Sequence, residues 1–224
     1  MLPSPYDRRW LLRWILGSTL AYVLGGGAAV AVVAGAYQLG LVGGSPLLAL
    51  LVGGLAGLVA GLVIGALEAV LLPATVSRSA WIRGTTAGAV IVWILVAVTP
   101  ALLVTDPAAP AQPMFARVAL AMCVGGSAGM LLAAFQAPVL AVLAVRTRPW
   151  LLGNGAAWGT ATPVTYAVTG APSSPAAAVL SALVLLATAG LAGGATTAFT
   201  LLLEERRAQL IGQSTGRTCA TELV

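Results

Sequence analysis

The stretch PLLALLVGGLAGLVAGLVIGALEAVLL, residues 46–72, decides the fold. It contains one charged residue, Glu68, and it exceeds the roughly 20 apolar residues that cross the hydrocarbon core of a bilayer. Glycines recur in it at every fourth position: Gly53, Gly57, Gly61 and Gly65. Because positions four apart share one side of a helix, this spacing predicts a membrane-spanning helix with a small-residue face. Such a face is typical of close helix packing, and the alternative is a face that lines a pore.

The composition of the whole chain also indicates a membrane environment. Of its 224 residues, 59% are hydrophobic and 8% are charged, whereas a water-soluble domain carries roughly 25% charged residues. Apolar stretches lie near residues 14–37, 46–72, 81–104, 115–145, 150–168 and 175–203. We therefore expect an all-α membrane protein. We expect residues 1–204 to form a bundle of six transmembrane helices. Residues 205–224 are predicted to form a short cytoplasmic tail, with an amphipathic start at residues 204–211 and a flexible end.

The arginines predict the orientation of these spans. Ten of the eleven basic residues fall on one side of the predicted bundle: Arg8, Arg9, Arg13, Arg78, Arg83, Arg146, Arg148, Arg206, Arg207 and Arg217. Only Arg117 falls on the other side. Because positive residues stay in the cytoplasm during insertion, both termini are predicted to be cytoplasmic. The net charge of +5 then reflects topology and contact with anionic lipid, and we expect no nucleic-acid partner.

Residue types needed for common enzyme chemistry are missing from the chain. It has no histidine and no lysine, which removes the commonest general base, the commonest metal ligand and the Schiff-base amine. No two carboxylates fall where they could share a site. We therefore expect no catalytic site, no metal and no cofactor.

An internal repeat runs through the chain. The pattern W-x-x-G-[STN]-x-x-[AG] opens the first, third and fifth spans, at Trp14, Trp81 and Trp150. The second and fourth spans share a glycine-rich segment, which in the fourth includes Gly125 and Gly129. Each even-numbered span ends in a polar residue, with Glu68, Gln136 and Glu204 as the candidates. These features predict three tandem helical hairpins, at about residues 14–72, 81–145 and 150–203.

The three repeated tryptophans are predicted to be interface anchors, with the ring in the apolar edge of the bilayer and the N–H among the headgroups. With these motifs the chain resembles a group of uncharacterised bacterial polytopic membrane proteins. They are built from tandem hairpins with a Trp-opened helix and a glycine-rich helix that closes in Gln or Glu. The resemblance implies the fold and a multi-pass location in the bacterial cytoplasmic (inner) membrane, and it assigns no activity.

A candidate intramembrane polar site consists of Glu68, Gln136, Asn154, Thr160 and Thr162. An acid inside a span is by default a functional hypothesis, but Glu68 lies near a cytoplasmic end, where an ion pair with Arg78 or Arg83 is the structural alternative. The polar residues of the fifth span indicate either a cavity wall or a central helix bonded to its neighbours.

Two main function classes follow from these features. The small-residue faces favour a structural or accessory membrane protein that packs against partner subunits or copies of itself. Alternatively, Glu68 and the polar fifth span line the route of a small transporter or channel. A lipid or carotenoid contact protein is a third class. A cavity that reaches the middle of the bundle would favour transport, and a closed bundle with a flat Gly/Ala face would favour the accessory role.

Overall fold

A computed structural model describes residues 8–41, 45–102, 113–143, 146–169 and 175–221. These residues form α1 (Arg8–Gln38), α2 (Pro46–Leu71), α3 (Arg78–Leu102), α4 (Met114–Leu140), α5 (Thr147–Thr169) and α6 (Pro175–Thr221). A short 3-10 turn, Ala141–Leu143, continues from α4, and no strand occurs in the described part of the chain. The prediction of an all-α fold is confirmed for the described residues, and each predicted span overlaps one helix.

Five of the described helices are long and apolar enough to cross a membrane: Arg9–Gln38, Pro46–Leu71, Arg78–Ala97, Val118–Leu140 and Val179–Glu204. α5 is not among them, because its sequence includes Arg148, Asn154 and several threonines. The outward surface is apolar, as shown on α2 by Leu51 and Leu55, which are 61% and 52% exposed. Glycine inside and leucine outside is the arrangement expected of a protein whose solvent is lipid.

The helices pack in a ring. Each helix contacts its neighbour in sequence, and α6 returns to pack against α1. Closely packed antiparallel neighbours place the starts of α1, α3 and α5 beside the ends of α2 and α4, as the bond from the Trp10 indole N–H to the Leu71 carbonyl oxygen shows (3.0 Å). We call this the arginine end, since Arg13, Arg83 and Arg148 lie there, all exposed. We call the opposite end of the bundle the far end.

The α2 glycines lie directly against α3. A Cβ atom added at Gly57 would meet the Cα of Val90 and would lie 2.7 Å from the carbonyl oxygen of Ala89. One added at Gly53 would lie 2.8 Å from the carbonyl oxygen of Trp93. These are backbone contacts, so the two helices approach as closely as they do only because no side chain stands between them.

Two details differ from the sequence prediction. α6 continues as one helix to Thr221, well beyond the predicted end of the sixth span at residue 203. α4 contains Pro138 in its last turn and ends at Leu140, before the predicted boundary at residue 145, because the chain continues there as the 3-10 turn Ala141–Leu143.

Candidate functional site

The three repeated tryptophans meet inside the ring. Trp14, Trp81 and Trp150 are only 1%, 1% and 2% exposed. The Trp81 ring packs edge-on against both others, with ring centroids 6.4 Å from Trp14 and 6.3 Å from Trp150. The prediction that they anchor the bilayer interface is therefore wrong. Their side chains point to the axis, where they fill the space between the helices at the arginine end.

Glu68 lies beside this row of tryptophans and is also buried, at 3% exposure. Ser18 of α1 and Trp81 of α3 face its carboxyl group, but Glu68 Oε2, Ser18 Oγ and Trp81 Nε1 all lack a partner within hydrogen-bond geometry. Unpaired polar atoms cost free energy in an apolar interior. Their convergence makes this the most polar point inside the ring that the structure describes.

The predicted ion pair of Glu68 with Arg78 or Arg83 is not formed. Both arginines are exposed, and the ion pairs among the described residues instead join Glu204 to Arg146 and Arg207, each at 3.8 Å. The helix geometry explains this difference. Arg83 lies two positions after Trp81, which is a rotation of about 200° around the helix axis. Because the Trp81 side chain points inward, the Arg83 side chain lies on the outer surface.

The remaining predicted polar residues divide into two groups. Gln136 and Asn154 are buried, at 2% and 5% exposure. Gln136 Nε2 donates to Thr85 Oγ1 across the α3–α4 interface at 3.1 Å, and Asn154 Nδ2 donates to the Trp150 carbonyl oxygen at 2.9 Å. Thr160 is exposed and donates to the carbonyl oxygen of Ala156 in its own helix, so it does not join the site. The side chain of Thr162 lies outside the described residues.

Beyond the polar site, toward the far end, the ring contains a partly open apolar cavity of about 230 Å³. All six helices contribute to its wall, with Tyr22, Ile64, Trp93, Val124, Trp158 and Leu186 as one residue from each. Ile64 precedes Glu68 by one helical turn, and Tyr22 lies within electrostatic range of Glu68. Glu68 therefore lies one helical turn from the cavity wall, toward the arginine end, and is not itself a wall residue.

A groove between α3 and α4 lies beside this cavity at the outer surface. It measures about 400 Å³ and shares four wall residues with the central cavity, namely Val92, Val96, Val124 and Ala128. Its outer rim includes Leu95 and Cys123, which are exposed. Since the outer surface is apolar, the groove faces the bilayer, and the four shared residues form the partition between the groove and the cavity.

The aromatic wall of the cavity was not predicted as a site. Tyr22 follows Ser18 by four residues and packs edge-on against Trp158, with ring centroids 5.5 Å apart, and Trp158 follows Asn154 by four. An inward position is repeated one turn later along a helix. Extending the repeat motif by one turn would therefore have indicated both aromatic residues.

The bond between Gln136 and Thr85 gives a testable prediction about the α3–α4 interface. We expect a double-mutant cycle of Gln136→Leu and Thr85→Val to yield a coupling of about 1 kcal/mol, the usual size for a polar contact between membrane helices. The measurement is unfolding in mixed micelles, followed by tryptophan fluorescence. Thr160→Val is the matched control and should show no coupling to Gln136→Leu, because Thr160 bonds within α5. Equal coupling in both cycles would contradict the assigned bond.

Comparison with known proteins finds no family model, no curated protein and no solved structure that matches this chain.

Proposed function

We propose that this protein is a membrane carrier for small lipophilic molecules, which bind in the central cavity and enter it from the bilayer. The observation that carries the proposal is the 230 Å³ apolar cavity, which shares four wall residues with the α3–α4 groove. An apolar cavity of about 150 Å³ is large enough to bind benzene. A cavity of this larger size suits a molecule of one or two rings.

The lateral groove supports a lipophilic substrate over a water-soluble one. A solute from water would have to pass the three tryptophans at the arginine end or enter from the far end through an almost wholly apolar wall. A lipophilic molecule already concentrated in the bilayer reaches the cavity through Val92, Val96, Val124 and Ala128 without leaving an apolar medium.

We place the accessory-subunit interpretation second. It requires an unused Gly/Ala face that a partner could cover, and the α2 glycines Gly53, Gly57, Gly61 and Gly65 are already occupied by α3. The outward face of α2 carries leucines instead. Exposed leucine suits lipid tails as well as it suits a partner, so this face does not favour a protein partner.

For the membrane arrangement, we infer that α5 also crosses the bilayer, since it packs between α4 and α6. This gives six spans with both termini on one side.

The exposed arginines at the arginine end support placing that end in the cytoplasm of a bacterial cell. The meeting of Trp14, Trp81 and Trp150 at equivalent positions supports three tandem hairpins. Lipid is then the surrounding partner, and no cofactor is proposed.

Filling the cavity tests the proposed function. We expect Ala128→Trp to lower the affinity for a small apolar probe at least about tenfold, a loss of roughly 1.4 kcal/mol, because the indole would occupy the junction of cavity and groove. The probe is 1-aminonaphthalene, and the measurement is saturable energy transfer from tryptophan in lipid nanodiscs.

Ala134→Trp is the matched control. It lies on the same helix, is exposed on the outer surface, and adds the same chromophore, so its affinity should equal that of the wild type. The proposal fails if the wild type shows no saturable transfer, or if both tryptophan variants bind the probe as the wild type does.

A further inference from the structure

One acidic side chain lies inside the ring without a positive charge beside it in the described part of the chain. Glu68 is 3% exposed and forms no ion pair among the described residues, where the two ion pairs belong to Glu204. Every arginine whose side chain is described is exposed. An ionised carboxyl group in an apolar interior is costly unless a cation lies near it. The groups that face it, Ser18 and Trp81, are neutral donors and supply no positive charge.

The cavity next to Glu68 has aromatic residues in its wall, and aromatic rings attract a cation more than aliphatic side chains do. Tyr22, Trp93 and Trp158 all line it. The face of an aromatic ring carries negative partial charge and attracts an ammonium group, most strongly when water is excluded. Three aromatic residues around one small cavity thus supply both apolar contact and attraction for positive charge.

Glu68 is close enough to act on a molecule in this cavity without touching it. Ile64 forms part of the wall, and Glu68 follows it by one helical turn, a rise of about 6 Å. An ionised carboxylate attracts a cation more strongly in a protein interior than in water, so the attraction can act across this distance. Tyr22, in the same wall, already lies within its electrostatic range.

From these contacts we propose that the molecule bound in the cavity is a lipophilic monocation, such as an aryl- or alkyl-substituted ammonium ion, with Glu68 as its counter-charge. This inference rests on the proposed carrier function and adds the charge of the substrate. The apolar part occupies the cavity between Val124 and Leu186, and the ammonium group lies at the floor, toward Ile64 and the aromatic rings.

Two probes of the same shape separate charge from size. Benzyltrimethylammonium and neopentylbenzene differ by the exchange of one N⁺ for one carbon. Each is added as a competitor of bound 1-aminonaphthalene in nanodiscs of neutral lipid, which removes the attraction of a cation for the membrane surface. In the wild type we expect the cation to compete at least about tenfold more strongly than the hydrocarbon at equal membrane concentration.

Glu68→Gln should abolish that preference, so that the two competitors act with similar strength, because the amide keeps the shape of the side chain and removes its charge. Glu204→Gln is the control. It removes an acid that already pairs with Arg146 and Arg207 at the arginine end, so the cation preference should persist. If Glu68→Gln does not purify as a folded protein, Glu68→Asp, which moves the charge back by one methylene, should weaken the cation and not the hydrocarbon.

The outcomes distinguish this inference from the proposed function. Equal competition by both probes in the wild type, or a cation preference unchanged in Glu68→Gln, overturns the assignment of a cationic substrate while leaving the carrier intact. Failure of both probes to compete, together with no saturable binding of 1-aminonaphthalene, overturns the proposed function itself.

Discussion

Trp81→Ala is expected to lower the free energy of unfolding by about 4 kcal/mol, as large-to-small changes of a buried indole do. Trp81 is 1% exposed and is the central ring of the row, in edge contact with Trp14 and Trp150. Its removal loses two aromatic pairs, worth about 0.5–1.5 kcal/mol each, and leaves a space at the axis that helices held by α2–α3 packing cannot close. Unfolding in mixed micelles, followed by far-UV circular dichroism, measures the loss.

Trp10→Ala is the comparison for this prediction. Trp10 stacks on Trp14 at the edge of the same row, with ring centroids 5.5 Å apart, but it is only half-buried. Its replacement should cost about half as much, since less surface and one aromatic pair are lost. If Trp10→Ala and Trp81→Ala destabilise equally, the row does not form the centre of the bundle.

Gly57→Ala should also destabilise strongly, by about 2 kcal/mol, although it adds a single methyl group. That methyl would meet the Val90 Cα and would lie 2.7 Å from the Ala89 carbonyl oxygen. Backbone atoms cannot rotate aside, so α2 and α3 must separate along the interface. The same unfolding assay applies, and engineered cysteine pairs across α2 and α3 should cross-link more slowly in the variant.

Gly54→Ala is the matched control on the same helix. The nearest atom to its added methyl would be Ile94 Cδ1 at 3.9 Å, an ordinary contact with the end of a flexible side chain. Its effect should stay within about 0.5 kcal/mol. A loss at Gly54 as large as that at Gly57 would show that glycine matters here for backbone reasons and not for the approach of α3.

The positions of the helices could be predicted because the thickness of a bilayer sets their length and because Gly, Pro and Arg separate them. The end of α6 could not be predicted in this way. Residues after Glu204 are polar, which indicates departure from lipid, but Glu, Arg, Ala, Gln and Leu are all good helix formers. The change to polar residues therefore indicates where the apolar segment ends but not where the helix ends, since α6 continues to Thr221.

The site was predicted only in part, because a sequence pattern identifies one face of a helix and not the neighbour it meets. The repeat placed Trp14, Trp81 and Trp150 on equivalent faces, and the choice between lipid headgroups and the axis depended on the closure of the ring. The same closure turned Arg83 outward and left Glu68 without the expected partner. The cavity itself arises between six helices and has no local signature.

The contact between α6 and α1 also has a consequence for how the protein matures. Helices leave the ribosome in sequence, so α2 to α5 can each settle beside a predecessor, whereas one flank of α1 stays against lipid until α6 has been inserted. Gly190 and Gly194 then bring α6 onto α1, where added Cβ atoms would lie 2.8 Å from the Thr19 Cα and 3.1 Å from the Ile15 Cα. A chain whose synthesis stops before this seam is an open arc, in which the α1 surface around Ile15 and Thr19 faces lipid in place of α6.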